Sequence, residues 1–209
     1  MLKNKTVVTA IVLIACFGSV LFIRALRPNP EVVLKQRIAE RSVGSEKAPL
    51  WITEYFDYQC PPCATARHVL DGAIREHPGQ IYLQARFFPL PAHKNGMKAA
   101  RYAECAARQK GKFWKFHEEL FKNQADWALD DYAQIKFASY AQTAGLNLKE
   151  LDACVLDPGT EKAVSEEKKK GADLGVQITP SFFVNGKIVV GTNGLMDELK
   201  AYFLKEEKT

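Results

Sequence analysis

The chain reads as an α/β fold made of a strand–helix–strand half and a strand–strand–helix half. A helical insertion over about residues 95–176 separates them, and an N-terminal membrane anchor precedes them. Three observations predict this order. Two segments rich in aromatic and branched residues, Leu50–Phe56 and Ile81–Phe88, flank a stretch whose apolar residues recur at helical spacing. The insertion carries helix-spaced apolar residues almost throughout. Near the end, Asn185-Gly186 separates two short apolar runs, a strong two-residue hairpin signal.

The chain has 209 residues, enough for one sizeable core with an inserted subdomain and short for two independent domains. Its net charge of +5 is unevenly placed. Lys3, Lys5, Arg24 and Arg27 stand in the first 30 residues with no acid among them, so the rest of the chain is nearly neutral. That distribution points to a membrane surface and away from nucleic acid. Thr6–Ile23 is an 18-residue run without a charged side chain. Residues 1–24 therefore read as a transmembrane anchor or signal sequence, inserted with the N-terminus inside. Leu13-Ile14-Ala15-Cys16 also resembles a lipoprotein processing box, so a lipidated or secreted form stands beside the anchored one. Each version exports the remainder of the chain. Residues 25–47 read as a charged connector stiffened by Pro28 and Pro30, with a short helix over Glu31–Arg41 as an alternative.

The domain proper is expected over 48–205. Leu50–Phe56 is its first strand. Cys60-Pro61-Pro62-Cys63 follows, and a helical pattern runs from Pro61 to Glu76, because proline suits a first helical position where no amide hydrogen is needed. Ile81–Phe88 returns as a parallel strand. In the insertion, Gly145 ends one helix, Asn147 and Glu150 form a capping box for the next, and Asp157-Pro158-Gly159 separates it from a helix over about Thr160–Leu174. Phe182–Val184 and Lys187–Val190 form the hairpin, and Gly194–Leu204 the closing helix. This order is that of a thioredoxin-like fold.

The chemistry centres on Cys60 and Cys63. A cysteine at a helix N-terminus meets unpaired amides and the positive end of the helix dipole, which favour its thiolate. A thiolate is both nucleophile and leaving group in disulfide exchange. Cys60 is thus the expected nucleophile, and Cys63, one turn inside, the resolving thiol. A zinc site would need further ligands. His68, His77, His93 and His117 share no ligand spacing with the pair, and His117 reads as a packing or capping residue. No metal and no cofactor beyond the redox disulfide is expected. Thr179-Pro180 opens a strand, and a cis peptide there would leave the Thr179 backbone free to pair with an extended substrate. Glu54, six residues before Cys60, is a candidate buried acid that relays protons as Cys63 changes state.

Phe56–Cys63, read FDYQCPPC, resembles the active-site segment of DsbA-like thiol:disulfide oxidoreductases. Gly175–Gly191 resembles that family's cis-proline loop and hairpin, and Lys110–Phe121 a helix of its helical insertion. The resemblance implies catalytic roles for Cys60, Cys63 and Glu54, and a substrate-binding surface at Thr179, Pro180, Pro61 and Pro62. Related proteins often join a cysteine pair within the insertion, which implies a structural disulfide between Cys105 and Cys154; two separate buried thiols are the alternative. It implies a domain in the periplasm or an equivalent extracytoplasmic space of an inner-membrane-anchored bacterial protein. The implied partners are cysteine-containing exported proteins and a membrane redox partner, either a quinone-linked oxidase or a thiol reductase. The short connector favours a monomer. One departure bears on the direction of electron flow. The first member described has a histidine where this chain has Pro62, and proline supplies neither charge nor donor. Cys60 is therefore expected to be less acidic, and the couple less oxidising, than in that oxidant. A reductase or isomerase role follows as an alternative. A peptide-binding chaperone and a metallochaperone stand further off.

Overall fold

The computed structural model describes residues 9, 12–15, 33–34 and 38–206. Most of the Thr6–Ile23 run, Cys16 included, lies outside the described residues, as do positions 31, 32 and 35–37 of the alternative helix over Glu31–Arg41. Among the described residues no helix is long and apolar enough to cross a membrane.

The strands are β1 (Ser42–Val43), β2 (Leu50–Phe56), β3 (Ile81–Phe87), β4 (Ser181–Val184) and β5 (Lys187–Val190), in the sheet order β1-β3-β2-β4-β5. β2 and β3 are parallel, and the other three pairings are antiparallel. α1 (Pro61–Glu76) makes the crossover between β2 and β3, and α8 (Gly191–Glu206) closes the chain. The insertion holds α2 (Gly96–Ala107), α3 (Phe113–Lys122), the single turn α4 (Gln124–Trp127), α5 (Ala133–Thr143), α6 (Leu148–Leu156) and α7 (Pro158–Asp173). Asn147 caps α6 by accepting from the Glu150 amide. Asp157 ends α6 and caps α7 through the Gly159 amide, so the expected break is a shared corner. The Asn185-Gly186 hairpin has φ of 46° and 84°, the left-handed pair that a tight hairpin turn requires.

Residues 39–43, ascribed to the connector, fold as a 3-10 turn over Ala39–Arg41 followed by edge strand β1. The paired segment is only two residues long, so no alternation in the sequence marks it. Its anchor is Arg41, whose buried guanidinium pairs with Glu167 of α7 at 2.7 Å and lies over the Phe87 ring.

Both faces of the sheet are covered. Leu50 and Ile52 of β2, Phe182 of β4, Ala66 and Leu70 of α1, and Leu195 and Leu199 of α8 form one core. Tyr55, Phe88, Val176 and Phe183 form a second on the opposite face. Phe182 and Phe183 thus face different cores, as strand alternation dictates. α7 approaches the second face closely enough that a Cβ on Gly171 would stand 2.6 Å from the Tyr55 ring. A third core joins the insertion to the cysteine end of the sheet through Phe56, Phe87, Phe113, Phe116 and Phe121.

Candidate active site

Leu50 and Ile52 face α1, so the even positions of β2 point under that helix. Glu54 is the next even position and is 1% exposed. Its Oε1 meets no hydrogen-bond donor among the described residues. Burial pushes its carboxyl up to about 8, against the pull of Arg67 and with a smaller push from Asp71.

Past β2 the chain turns on Asp57. The Asp57 carbonyl accepts from the Cys60 amide at 3.1 Å, and its Oδ1 from the Gln59 amide at 2.8 Å. Its Oδ2 accepts from the Leu90 amide at 2.7 Å and stands 2.7 Å from His93 Nδ1. The turn delivers Cys60 as the N-cap of α1, with Pro61 and Pro62 as the first helical residues. The Cys60 carbonyl accepts from the Cys63 amide at 3.0 Å and the Ala64 amide at 3.4 Å. Both cysteines are free thiols; Cys60 is 5% exposed and Cys63 fully buried.

Their acidities are driven apart. A hydrogen bond from the Cys63 side chain lowers Cys60 to about 6; burial and the Asp57 charge act against it. Burial first, then neighbouring Cys60 and Glu54, hold Cys63 well above the usual thiol range. One sulfur is thus a ready thiolate at neutral pH, and the other releases one only if a proton follows.

The Thr179–Pro180 peptide is cis. The Cys60 thiol donates to the Thr179 carbonyl at 3.4 Å. The Tyr55↔Ser181 pairing of β2 with β4 brings this loop to the cysteines. Thr192, at the start of α8, donates through its hydroxyl to the Pro62 carbonyl at 3.0 Å.

Cys60, Cys63, Glu54, Pro61, Pro62, Thr179 and Pro180 therefore meet at one end of the sheet. Cys105 and Cys154 do not join them. They form a disulfide with Cα atoms 5.8 Å apart that ties α2 to α6. Among the described residues no group of three or more His, Cys, Asp or Glu side chains gathers as a metal site.

Sequence reasoning overlooked a polar frame around the turn. Besides Asp57 and His93, it includes Gln59 Oε1, which accepts from the Asn95 amide at 2.6 Å. Gln124 Nε2 donates to the Tyr58 and Cys60 carbonyls at 2.6 and 3.1 Å. Behind it, the Tyr58 hydroxyl and His117 Nδ1 hydrogen-bond at 2.9 Å, and burial holds His117 well below its usual range and so neutral. A polar Asp57 directly after an apolar strand was the available signal. Gln124 had none, because only the tertiary fold brings it to the turn.

A family model described as Thioredoxin (Thioredoxin_4) matches residues 36–202. A thioredoxin-like oxidoreductase from Silicibacter pomeroyi DSS-3 superposes with a TM-score of 0.66 at 26% identity, over 84% of this chain and 98% of that one. A variant of alpha-DsbA1 from Wolbachia pipientis superposes at 0.68 with 18% identity, over 83% and 96% of the two chains, a likeness of fold. The Na(+)/H(+) antiporter NhaA 1 of Mycolicibacterium gilvum is 35% identical over 148 residues, which are 69% of this chain. The chain spans only 23% of that protein's length, so the antiporter's name describes a much larger molecule. With the family match spanning most of the chain and an acidic and a buried cysteine sharing one helix terminus, the chain belongs to the thioredoxin family and carries the site of a thiol–disulfide oxidoreductase.

Proposed function

We propose that the protein oxidises thiols of exported proteins outside the cytoplasm, using the Cys60–Cys63 disulfide as oxidant. The supporting observation is the separation of the two thiols: Cys60 near 6 and Cys63 far above it, beside the Thr179–Pro180 loop. A stabilised Cys60 thiolate stabilises the reduced enzyme, which makes its disulfide a better electron acceptor.

The geometry supports one cycle. A substrate thiolate attacks the Cys60 sulfur, the Cys60–Cys63 bond breaks, and Cys63 leaves as a thiolate. Glu54, protonated at neutral pH, faces the same buried space and supplies the proton that Cys63 requires. The substrate is held to Cys60 as a mixed disulfide, with its backbone paired against Thr179. A second substrate thiolate attacks the substrate sulfur of that bond, and Cys60 leaves as a thiolate. Two electrons pass from substrate to enzyme, and a membrane redox partner of the quinone-linked kind removes them. No cofactor beyond the disulfide takes part.

Export is supported by the Thr6–Ile23 run and by the Cys105–Cys154 disulfide, a bond that persists in oxidising compartments. A reductase or isomerase is the second reading, favoured by Pro62, which places no charged donor beside Cys60.

The deciding measurement is the reduction potential of the Cys60–Cys63 couple in graded glutathione buffers. A value toward about −120 mV is expected for a disulfide donor. A value near about −270 mV, the thioredoxin end of the scale, overturns the oxidase reading in favour of a reductase.

A further inference from the structure

β5 closes the sheet order, so one of its two backbone edges has no strand partner among the described residues. Its pairing with β4 decides which groups that open edge shows. The Gly191 amide donates to the Pro180 carbonyl at 2.9 Å, which makes Pro180 and Gly191 a bonded pair. Bonded and unbonded pairs alternate along an antiparallel ladder. Ser181–Val190 and Phe183–Ile188 are therefore the unbonded pairs, with Phe182–Val189 bonded between them. In an unbonded pair the amides and carbonyls turn away from each other. Ile188 and Val190 thus aim their backbone groups outward, where an extended chain would meet them.

The same two residues leave apolar side chains uncovered. Ile188 stands opposite Phe183 and Val190 opposite Ser181, so both lie on the face that carries Tyr55 and Phe183. Ile188 is 43% exposed and Val190 49%. Lys187 and Val189 take the other face, Val189 in the core with α8 and Lys187 paired with Glu198 of that helix. The charge of the strand is thereby drawn away from its apolar row. Toward the sulfur, Ser181 Oγ donates to the Ile178 carbonyl at 2.7 Å, and Ile178 is 55% exposed. Thr179 comes next, its carbonyl 3.4 Å from Cys60 Sγ. Val190 then lies about three or four extended residues from that sulfur.

We propose that the outer edge of β5 is a second binding subsite for the substrate polypeptide: it takes an extended, β-branched segment near the reacting cysteine as an added strand, paired with the Ile188 and Val190 backbone. It rests on exchange through Cys60 and adds a preference of sequence to it. The edge adjoins the Thr179 loop, where the substrate sulfur must come to meet Cys60. Two outward residues offer too little area for a stable pair of copies, which needs about 1,200 Å² or more. A substrate joined to Cys60 needs no such area, because the mixed disulfide makes the strand contact intramolecular.

The test uses the full chain and two sets of dithiol peptides. One set carries Val-Thr-Val about three residues from a cysteine, on either side of it, and the other carries Gly-Ser-Gly there. kcat and KM are read for each peptide, with dithiothreitol as a small thiol that has no flank. The wild-type disulfide is expected to take a valine-flanked peptide with a KM about tenfold below that of its glycine counterpart. Ile188→Lys/Val190→Lys abolishes that difference and leaves kcat and the dithiothreitol rate unchanged. Val190→Pro removes the outward amide without breaking a bond to β4, and raises the same KM about fivefold. Ile188→Thr/Val190→Thr keeps branched strand residues and raises it less, with the same sign, which covers a lysine variant that fails to fold. A wild type that treats the two peptide sets alike overturns the proposal, as does a difference that survives the variants. A dimer that Ile188→Lys/Val190→Lys splits overturns it too, and assigns the edge to a second copy. A wild-type chain that does not exchange with dithiothreitol overturns the oxidoreductase reading itself, a result separable from the others.

Discussion

Glu54 shows how one side chain couples the catalytic reading to a stability measurement. Its folded carboxyl titrates at about 8 because it is buried, while an unfolded glutamate titrates near 4.5. The folded protein therefore holds a proton that the unfolded chain has lost. Stability falls as pH rises from about 4.5 to about 8, and the loss is complete above that. Glu54→Gln removes this slope. The variant is expected to gain on the order of 3–5 kcal/mol over wild type between pH 5 and pH 9, read by urea denaturation at both pH values. Its exchange rate should also lose the limb near pH 8; an unchanged profile would take Glu54 out of the proton path. Cys60, Cys63 and Glu54 were legible because their spacing to the strand end and helix start is local. Gln124 and His93 were not, since each reaches the turn from a part of the chain that only folding brings close.

At the scale of elements, the punctuation of the sequence was its clearest text. Asn185-Gly186, the Asn147 cap and the proline start of α1 rest on backbone chemistry confined to a few neighbouring residues, and the structure places each as read. β1 has no such mark; a two-residue strand shows no alternation, and it was folded into the connector. The pairing of Cys105 with Cys154 was not readable from spacing and came only through family resemblance. Its 49-residue separation makes the loop it closes long. The double variant Cys105→Ala/Cys154→Ala is expected to lose about 3–4 kcal/mol in denaturant unfolding by the loop-entropy model. The potential of the Cys60–Cys63 couple serves as a control in the same preparation. A loss below about 1 kcal/mol would mean that the unfolded chain is already compact around these two helices.

For the molecule as a whole, Arg41 ties the edge of the sheet to the insertion. It pairs with Glu167 at 2.7 Å and lies 3.6 Å from Glu104, with all three side chains largely shielded. Arg41→Ala leaves Glu167 with its closest partner gone, and is expected to cost about 3–5 kcal/mol in chemical denaturation. A loss under 1 kcal/mol would show that Arg86, 3.8 Å from Glu167, takes over the charge. The overall order of halves and insertion was legible because each piece has its own periodicity. Which charges the pieces bury between them was not, because ion pairing leaves no periodic trace.

Phe56 at the end of β2 lies beside Phe87 at the end of β3, and Tyr55 lies beside Ser181 at the start of β4. The insertion therefore departs from and rejoins the sheet at the rim where Cys60 stands. It works like a parenthesis opened and closed at the mouth of the site. Residues added near its two ends stand at that mouth, while its interior reaches the sheet edge at Arg41 and the sheet face at Tyr55. Length changes at those ends can redraw which polypeptides reach the sulfur, while the strands that hold the sulfur keep their register.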